Sequence, residues 1–406
     1  MTNPGFALEP TITRNVRIAR RLLFRLLSNI RGGSVTVYEG VQTFHFGERS
    51  GALYADIRII DPIVYWRLLI GGSIAAAETW MERKWDSHQL TPLLQILALN
   101  SKVMGRLESG FRLSGRLIER LRHWTRRNHR HQARENIAAH YDLGNAFYAS
   151  FLDEELLYSS ALFTSEGQSL ADAQQAKMAR LCEQLALTSE DHLLEIGTGW
   201  GAMAEYVARY YGCRVTTTTL SREQYIWATD RIARAGLQNQ VQVLLCDYRD
   251  LTGEYDKLVS IEMIEAVGKR YLPAFFQTCQ DRLRPGGKMA IQAITIQDQR
   301  YRDYSKSVDF IQRYIFPGGF LPSITAMNAV MTKHTDFVVR NLFDMGPDYA
   351  LTLVHWRQRF IQAWPEIEKL GFDERFQRMW LYYLSYCEAG FNARTISVVQ
   401  LTAERV

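Results

Sequence analysis

The stretch "DHLLEIGTGWG", residues 191–201, decides the fold. Its first half is an apolar run of strand length. Its second half places glycines at 197, 199 and 201, just before the helical pattern "AMAEYVARYYG". Glycine reaches backbone conformations closed to other residues and lets a ligand approach the main chain. A helix that starts there aims unpaired N–H groups at whatever binds. A tight turn with no ligand is the plain alternative, but a Gly-rich strand-to-helix junction is where open α/β sheets bind small molecules.

Working outward, helical and strand patterns alternate. "ADAQQAKMARLCEQL" precedes the turn as a helix, "CRVTTTTLS" follows as a β-branched strand, and "REQYIWATDRIARAG" is again helical. "VQVLLCDYRDL", "YDKLVSIEMIEAVG" and "GGKMAIQAITI" supply further strands. This alternation predicts an α/β fold, an open and mostly parallel Rossmann-like sheet with helices on both faces and ligands beyond the carboxyl ends of the strands. The spacing G-x-G-x-G is not the dinucleotide fingerprint. Glu195, two residues before the first glycine, would repel a pyrophosphate and attract an ammonium such as the one S-adenosylmethionine carries. Asp247, Tyr248 and Arg249 lie at another strand exit, where a polar contact and a flat ring could hold adenine. A methyltransferase-type sheet follows. Glu262 and Glu265 interrupt the apolar run "VSIEMIEAVG" at a further exit. Either the strand ends early and both acids are solvated, or one is a base in a dry pocket.

A chain of 406 residues exceeds one small core, so two domains are expected. Residues 1–120 read as a small α+β domain with a basic helical connector, because "SVTVYEGVQTFHFGE" and "ALYADIRII" alternate as strands do and 62–125 is mainly helical. Residues 121–406 form the catalytic domain. The five cysteines include no C-x-x-C and no Cys/His zinc spacing, which points to a reduced, metal-free cytoplasmic protein. No apolar run approaches the roughly 20 residues of a membrane-spanning helix, and the N-terminus lacks the apolar segment of a signal peptide.

The net charge of +5 is concentrated: residues 102–134 carry ten Lys/Arg against two Glu, which favours anionic partners. In "TRNVRIARRLLFRLLSNIRGG", Val16, Leu23, Leu27 and Ile30 share a helical face ringed by arginines. Such a helix lies in a lipid headgroup layer or packs into a core. No nucleic-acid reader module is recognisable. A protein held peripherally at the inner face of an anionic membrane is expected, with homodimerisation left open.

Six motifs in order, "HYDLGNAFYASFLDEELLYSSALF", "LLEIGTGWG", "TTLSREQ", "VSIEMIEAVG", "RYIFPGGFLPS" and "MWLYYLSYCEAGFNAR", resemble the cyclopropane-fatty-acid synthase family and its mycolic-acid relatives. The resemblance runs from about residue 135 to the C-terminus. It implies a class I methyltransferase fold and transfer of a methylene from S-adenosylmethionine to a cis double bond in the acyl chain of a membrane phospholipid. Tyr158 and Ser159 match the segment that closes over the cofactor, and Gly197 and Gly199 the glycine loop. Thr219, Leu220, Ser221 and Gln224 match the polar stretch after the second strand. Tyr248, Arg249 and Ile261 fall at the adenine. The resemblance also implies a bicarbonate ion, with Glu265 and Tyr349 matching two of its ligands and Ile294 a backbone contact. Ser160 stands where the family usually has Cys, and Gln292 where it usually has His. Both can still hydrogen-bond, but Gln292 removes a titrating group and any pH dependence it supplied. Glu262, at a position where relatives carry a small residue, is expected to make a structural or solvent contact. Cys387 matches a family Cys near the acyl pocket. With no His nearby in sequence, packing suits it better than nucleophilic catalysis.

The implied chemistry constrains the pocket. An alkene is a weak nucleophile and must be held in line with the sulfonium methyl. The resulting carbocation needs a dry site and aromatic faces, for which Tyr271, Phe275, Phe276, Tyr314, Phe316 and Tyr349 are candidates, each otherwise ordinary core. Ring closure then needs a base, either bicarbonate oriented by Glu265 and Tyr349 or Glu265 itself. Methyl transfer without ring closure is the alternative outcome.

Overall fold

The computed structural model describes residues 13–48, 51–101 and 143–406. The basic connector at 102–134 and the first residues of the motif at His140 lie outside them. The chain divides into two compact units, Met1–Ile118 with Asp373–Ala389, and Glu119–Phe372 with Gly390–Val406. A single cut does not describe this division, because residues 373–389 return to the first unit.

In the first unit, β1 (Ser34–Glu39), β2 (Gln42–Gly47), β3 (Tyr54–Ile59) and β4 (Trp85–Asp86) form a sheet of order β2-β1-β3-β4. β1 and β2 are an antiparallel hairpin and β1 pairs parallel with β3. Helices α1 (Arg14–Leu27), α2 (Ile63–Met81) and α3 (Leu90–Leu99) complete the α+β unit. α1 buries Val16, Ala19 and Leu27, followed by buried Ile30, with Leu23 half-buried. Phe24 packs its ring 5.0 Å from both Phe44 and Phe46 and 5.8 Å from Tyr65. Val16, Ala19 and Leu27 of α1 are therefore packed within their own unit, while Phe24, Phe44 and Phe46 are half-buried and Ile18 is exposed. Arg14, Arg17, Arg21 and Arg25 stay exposed on the opposite side.

The second unit holds β5 (His192–Ile196), β6 (Arg214–Thr219), β7 (Val241–Leu245), β8 (Tyr255–Ile261), β9 (Leu283–Ile296), β10 (Phe337–Asp344) and β11 (Ile396–Arg405). Their order is β10-β11-β9-β8-β5-β6-β7. β5 to β9 run parallel, and β11 runs antiparallel to both β9 and β10. This is the Rossmann-like sheet of class I methyltransferases. Its helices are α4 (Asn145–Ala149), α5 (Leu170–Leu185), α6 (Ala202–Tyr211), α7 (Arg222–Arg234), α8 (Leu272–Arg282), α9 (Asp298–Tyr304), α10 (Ile324–His334) and α11 (Gly346–Lys369). α12 (Glu374–Asn392) begins in the first unit and ends in the second.

β5 buries Leu193, Leu194 and Ile196 on both faces, as a central parallel strand must. Strand order reverses at β5, with β6 on one side and β8 on the other, and such a switch point opens a crevice at the carboxyl ends. Serine N-caps start two helices of this unit. Ser169 accepts from the Asp172 N–H at 3.1 Å to start α5, and Ser221 accepts from the Gln224 N–H at 3.3 Å to start α7.

Candidate active site

The crevice is lined on one side by the glycine turn. Gly197, Gly199 and Gly201 take φ of +102°, +54° and +90°. A Cβ at Gly197 would stand 3.2 Å from Met263, so the turn needs both the conformation and the space that glycine gives. Glu195 is 2% exposed and accepts one side-chain hydrogen bond, from the Thr217 hydroxyl at 2.6 Å. Burial pushes its carboxyl up to about 8. A buried acid with a single hydroxyl donor suits an ammonium, whose charge would restore the ionised form. Tyr158, Ser159, Thr219, Leu220, Gln224, Tyr248, Arg249 and Ile261 line the same pocket. The residues present therefore fit S-adenosylmethionine, with Glu195 for the amino group and Tyr248 and Arg249 for the base.

Two expected lining residues act one layer back. Asp247 accepts from the Arg249 N–H at 3.0 Å and its Nε at 2.8 Å, so its carboxylate fixes Arg249. Ser221 is occupied in capping α7. Short polar side chains are readily consumed by neighbouring backbone in this way. Trp200, Met203 and Met263, which the sequence reading passed over, line the pocket instead.

On the other side lies a caged carboxylate. Glu262 follows β8 with φ +48°, a left-handed conformation that costs a non-glycine residue about 1–3 kcal/mol and persists only where its surroundings enforce it. Its Oε1 accepts the Ser160 N–H at 2.9 Å and Gln292 Nε2 at 2.8 Å, and its Oε2 accepts the Tyr349 hydroxyl at 2.7 Å. Gln400, opposite Gln292 in the β9–β11 pairing, donates to Gln292 Oε1 at 3.0 Å and so turns the amide nitrogen toward Glu262. Glu265 is one short turn further on. Its Oε1 accepts the Ile294 N–H, and its buried Oε2 has no hydrogen-bond partner among the described residues. Burial and the charge of Glu262 push Glu265 up to about 8, in the direction of its neutral form. Burial raises Glu262 too, but Gln292, Ser160, Tyr349 and Lys177 oppose that rise. Of the pair, Glu262 is the acid whose ionised form is held.

Lys177 is fully buried, donates to Ser159 Oγ at 2.8 Å and is pushed down to about 8 by burial against the pull of Glu262 and Asp153. The segment carrying Ser159 and Ser160 is pinned from two helices. From α5, Gln174 donates to the Leu157 and Ser159 carbonyls at 3.2 and 3.0 Å. From α11, the Thr352 hydroxyl accepts the Ala161 N–H at 3.1 Å and Asp348 the Phe163 N–H at 2.8 Å. Aromatic rings wall this corner: Tyr349 lies 4.4 Å from Phe391 and 6.0 Å from Trp356, and Tyr158 5.3 Å from Trp356 and 6.3 Å from Phe316. Phe275 and Phe276 belong to the core, and Tyr314 lies tilted against Phe310 at 5.6 Å. Tyr271 is half-buried, 5.9 Å from the Arg249 guanidinium.

Glu262 makes the structural contacts near the cofactor pocket that were expected of it, half-buried at the centre of the cage, while other expectations change. Ser160 contributes its N–H, while its hydroxyl donates to the Ala161 carbonyl at 3.0 Å. The groups assigned to a bicarbonate ion are engaged by the two carboxylates, and an added anion would face both of them. The donor set does not fit bicarbonate. Cys387 is half-buried on α12 within the first unit and is not among the residues lining the pocket. Lys177 and Gln400 were missed, although a Lys four residues from Ala173 and Leu181 on a buried stripe is a legible signal.

The sequence model of the mycolic acid cyclopropane synthetase family matches residues 128–401. Over 352 residues, 82% of this chain and 79% of the relative, the sequence is 41% identical to a tuberculostearic acid methyltransferase of Mycobacterium tuberculosis. Over 366 residues it is 34% identical to the cyclopropane-fatty-acyl-phospholipid synthase of Escherichia coli K12, covering 88% of this chain and 89% of that one. A crystal structure of a mycolic acid cyclopropane synthase complexed with SAH and CTAB superposes with a TM-score of 0.63 at 29% identity, covering 67% of this chain and 98% of that one.

Proposed function

Because the chain belongs to the mycolic acid cyclopropane synthetase family and is an S-adenosylmethionine-dependent methyltransferase acting on lipid double bonds, we propose that it forms a cyclopropane ring across the cis double bond of an unsaturated phospholipid acyl chain. The observation that carries this reading is the three-donor carboxylate cage beside a pocket built for a methyl donor. Transfer to oxygen or nitrogen has little need of such a cage, whereas methylating an alkene leaves a cation that must shed a proton.

S-adenosylmethionine supplies an electrophilic methyl group. Glu195 takes its amino group, the glycine turn its main-chain approach, and Tyr248 with Arg249 its base. The wall of Tyr158, Phe316, Tyr349 and Trp356 excludes water and turns π faces toward positive charge. Attack by the alkene places the methyl on one carbon and the cation on its neighbour. Removal of a proton from that methyl lets the C–H electron pair close the ring.

A second reading has an observation of its own. The relative at 41% identity is a tuberculostearic acid methyltransferase. If a hydride shifts along the chain before the same proton leaves, the product is a methylene branch. A saturated methyl branch would further need a hydride donor, so a reductase would have to act next.

Both readings are tested by incubating purified protein with S-adenosylmethionine and vesicles of monounsaturated, part-anionic phospholipid. Mass spectrometry with chain fragmentation and NMR should locate one added carbon at the former double bond, as a ring or a branch. Methylation of the head group, of RNA or of protein, with untouched acyl chains, would overturn the reading.

The exposed arginines of α1 support attachment to an anionic bilayer. Arg14, Arg17, Arg21 and Arg25 fall within about a third of the helix circumference, away from buried Val16, Ala19 and Leu27. No described helix is long and apolar enough to cross a membrane. Binding to such vesicles should weaken as salt rises.

A further inference from the structure

The cage around Glu262 holds a carboxylate that belongs to the chain, and this has a chemical consequence. We propose that Glu262 is the proton acceptor of the reaction, a built-in base that makes the enzyme independent of any dissolved anion. The proposal rests on the reading that an acyl double bond is methylated.

Four observations converge. First, Glu262 lines the pocket that also contains Glu195, the glycine turn and Tyr158, so it borders the methyl-donor site. Second, both of its oxygens are held by donors on separate elements, the Ser160 N–H, Gln292 Nε2 and the Tyr349 hydroxyl. Third, its backbone takes φ +48°, so the fold tolerates a left-handed glutamate to put a carboxylate there. Fourth, the partner acid Glu265 has one oxygen on the Ile294 N–H and the other without a partner among the described residues, an arrangement suited to the neutral acid. Two carboxyls this close do not both ionise readily. The caged one carries the charge and the uncaged one the proton.

The step balances without an added reagent. The sulfur–methyl bond breaks as the alkene carbon–methyl bond forms, leaving the cation on the adjacent carbon. A Glu262 oxygen takes a proton from the transferred methyl, and the released electron pair makes the third carbon–carbon bond, or the methylene double bond after a hydride shift. Three hydrogen bonds make Glu262 a weak base, yet a cation of this kind gives up its proton to a weak base. What the cage supplies is position and a negative charge that stabilises the cation before the proton moves. Tyr349 and Gln292 are then positioning residues.

The test compares wild type, Glu262→Gln and Glu262→Gly, measuring methyl transfer to monounsaturated phospholipid vesicles and S-adenosylmethionine binding by calorimetry. Wild type should keep its turnover within twofold in degassed, bicarbonate-free buffer. Glu262→Gln should lose at least about 100-fold in turnover, the lower end for a positioned acid or base, with cofactor affinity within about threefold of wild type, which also reports folding. Glu262→Gly relieves the strained backbone and leaves three donors around a vacancy, so added formate or bicarbonate should restore turnover at least tenfold. A wild type that stalls without bicarbonate, a Glu262→Gln enzyme with more than half of wild-type turnover, or no anion rescue in Glu262→Gly would each overturn the proposal. If wild type methylates no acyl chain at all, the functional reading itself fails, and that result is distinct from all three.

Discussion

Glu195 and Glu262 stand at the carboxyl ends of neighbouring parallel strands, β5 and β8, and both are acids of one pocket, Glu195 buried and Glu262 half-buried. Their surroundings differ sharply. Glu195 has one side-chain donor, the Thr217 hydroxyl, whereas Glu262 has three donors and a buried lysine nearby. An acid left nearly bare after burial awaits a cation from outside. An acid whose charge is already satisfied by the protein is fixed in place, and it acts on what binds beside it. One strand edge thus separates a binding acid from a reacting acid by donor count alone.

Substitutions can break that distinction. The largest expected effect is at Glu262→Gln, where turnover should fall by at least about 100-fold with cofactor affinity nearly unchanged, since the amide can occupy the cage but cannot accept a proton. Steady-state kinetics with calorimetry reads both quantities. Glu195→Gln should do the reverse, weakening S-adenosylmethionine binding by about 10- to 100-fold, the range for losing a charge-assisted hydrogen bond, while turnover at saturation changes less. If the two variants shift the same parameter, the division between binding and reacting acids is wrong. Tyr349→Phe removes one of the three Glu262 donors and should lower turnover by about tenfold, with no change in affinity. Activity unaffected by this substitution would separate Tyr349 from the cage.

The pH dependence sharpens the comparison further. Glu195 and Glu265 each have a folded-state pKa of about 8, raised by burial from the usual carboxyl range. A raised acid stabilises the fold fully below its unfolded pKa, and that stability is lost as pH rises through the folded value. Thermal stability should therefore decline from about pH 4.5 toward pH 8. Glu265→Gln should flatten part of that decline in melting curves across the range, and bound S-adenosylmethionine should remove the share due to Glu195. The smallest effect belongs to the other unit: Arg17→Glu with Arg21→Glu should weaken vesicle binding severalfold at low salt and leave cofactor affinity unchanged.

Much of this was legible in the sequence. The glycine turn, the alternating elements and the pocket residues Tyr158, Thr219, Tyr248 and Ile261 follow from local pattern and resemblance, because each depends on residues near it in the chain. The cage was not legible for the opposite reason. Ser160, Glu262, Gln292, Tyr349 and Gln400 come from five separate segments, and which acid they would surround depends on backbone direction after β8. The left-handed φ at Glu262 turns its side chain inward, and nothing in "VSIEMIEAVG" announces it. The apolar face of α1 was ambiguous for a similar reason, since periodicity gives a face but not what covers it. What packs on Phe24 of that face is Phe44, Phe46 and Tyr65, all distant from it in sequence.

The most direct test of the central claim uses S-adenosylmethionine carrying a fully deuterated methyl group. Wild-type enzyme, monounsaturated phospholipid and bicarbonate-free buffer complete the reaction, and the product lipid is analysed by mass spectrometry. Transfer followed by proton loss from the transferred methyl predicts an acyl chain that keeps two of its three deuteriums. A chain retaining all three, or one with no label, would contradict the account.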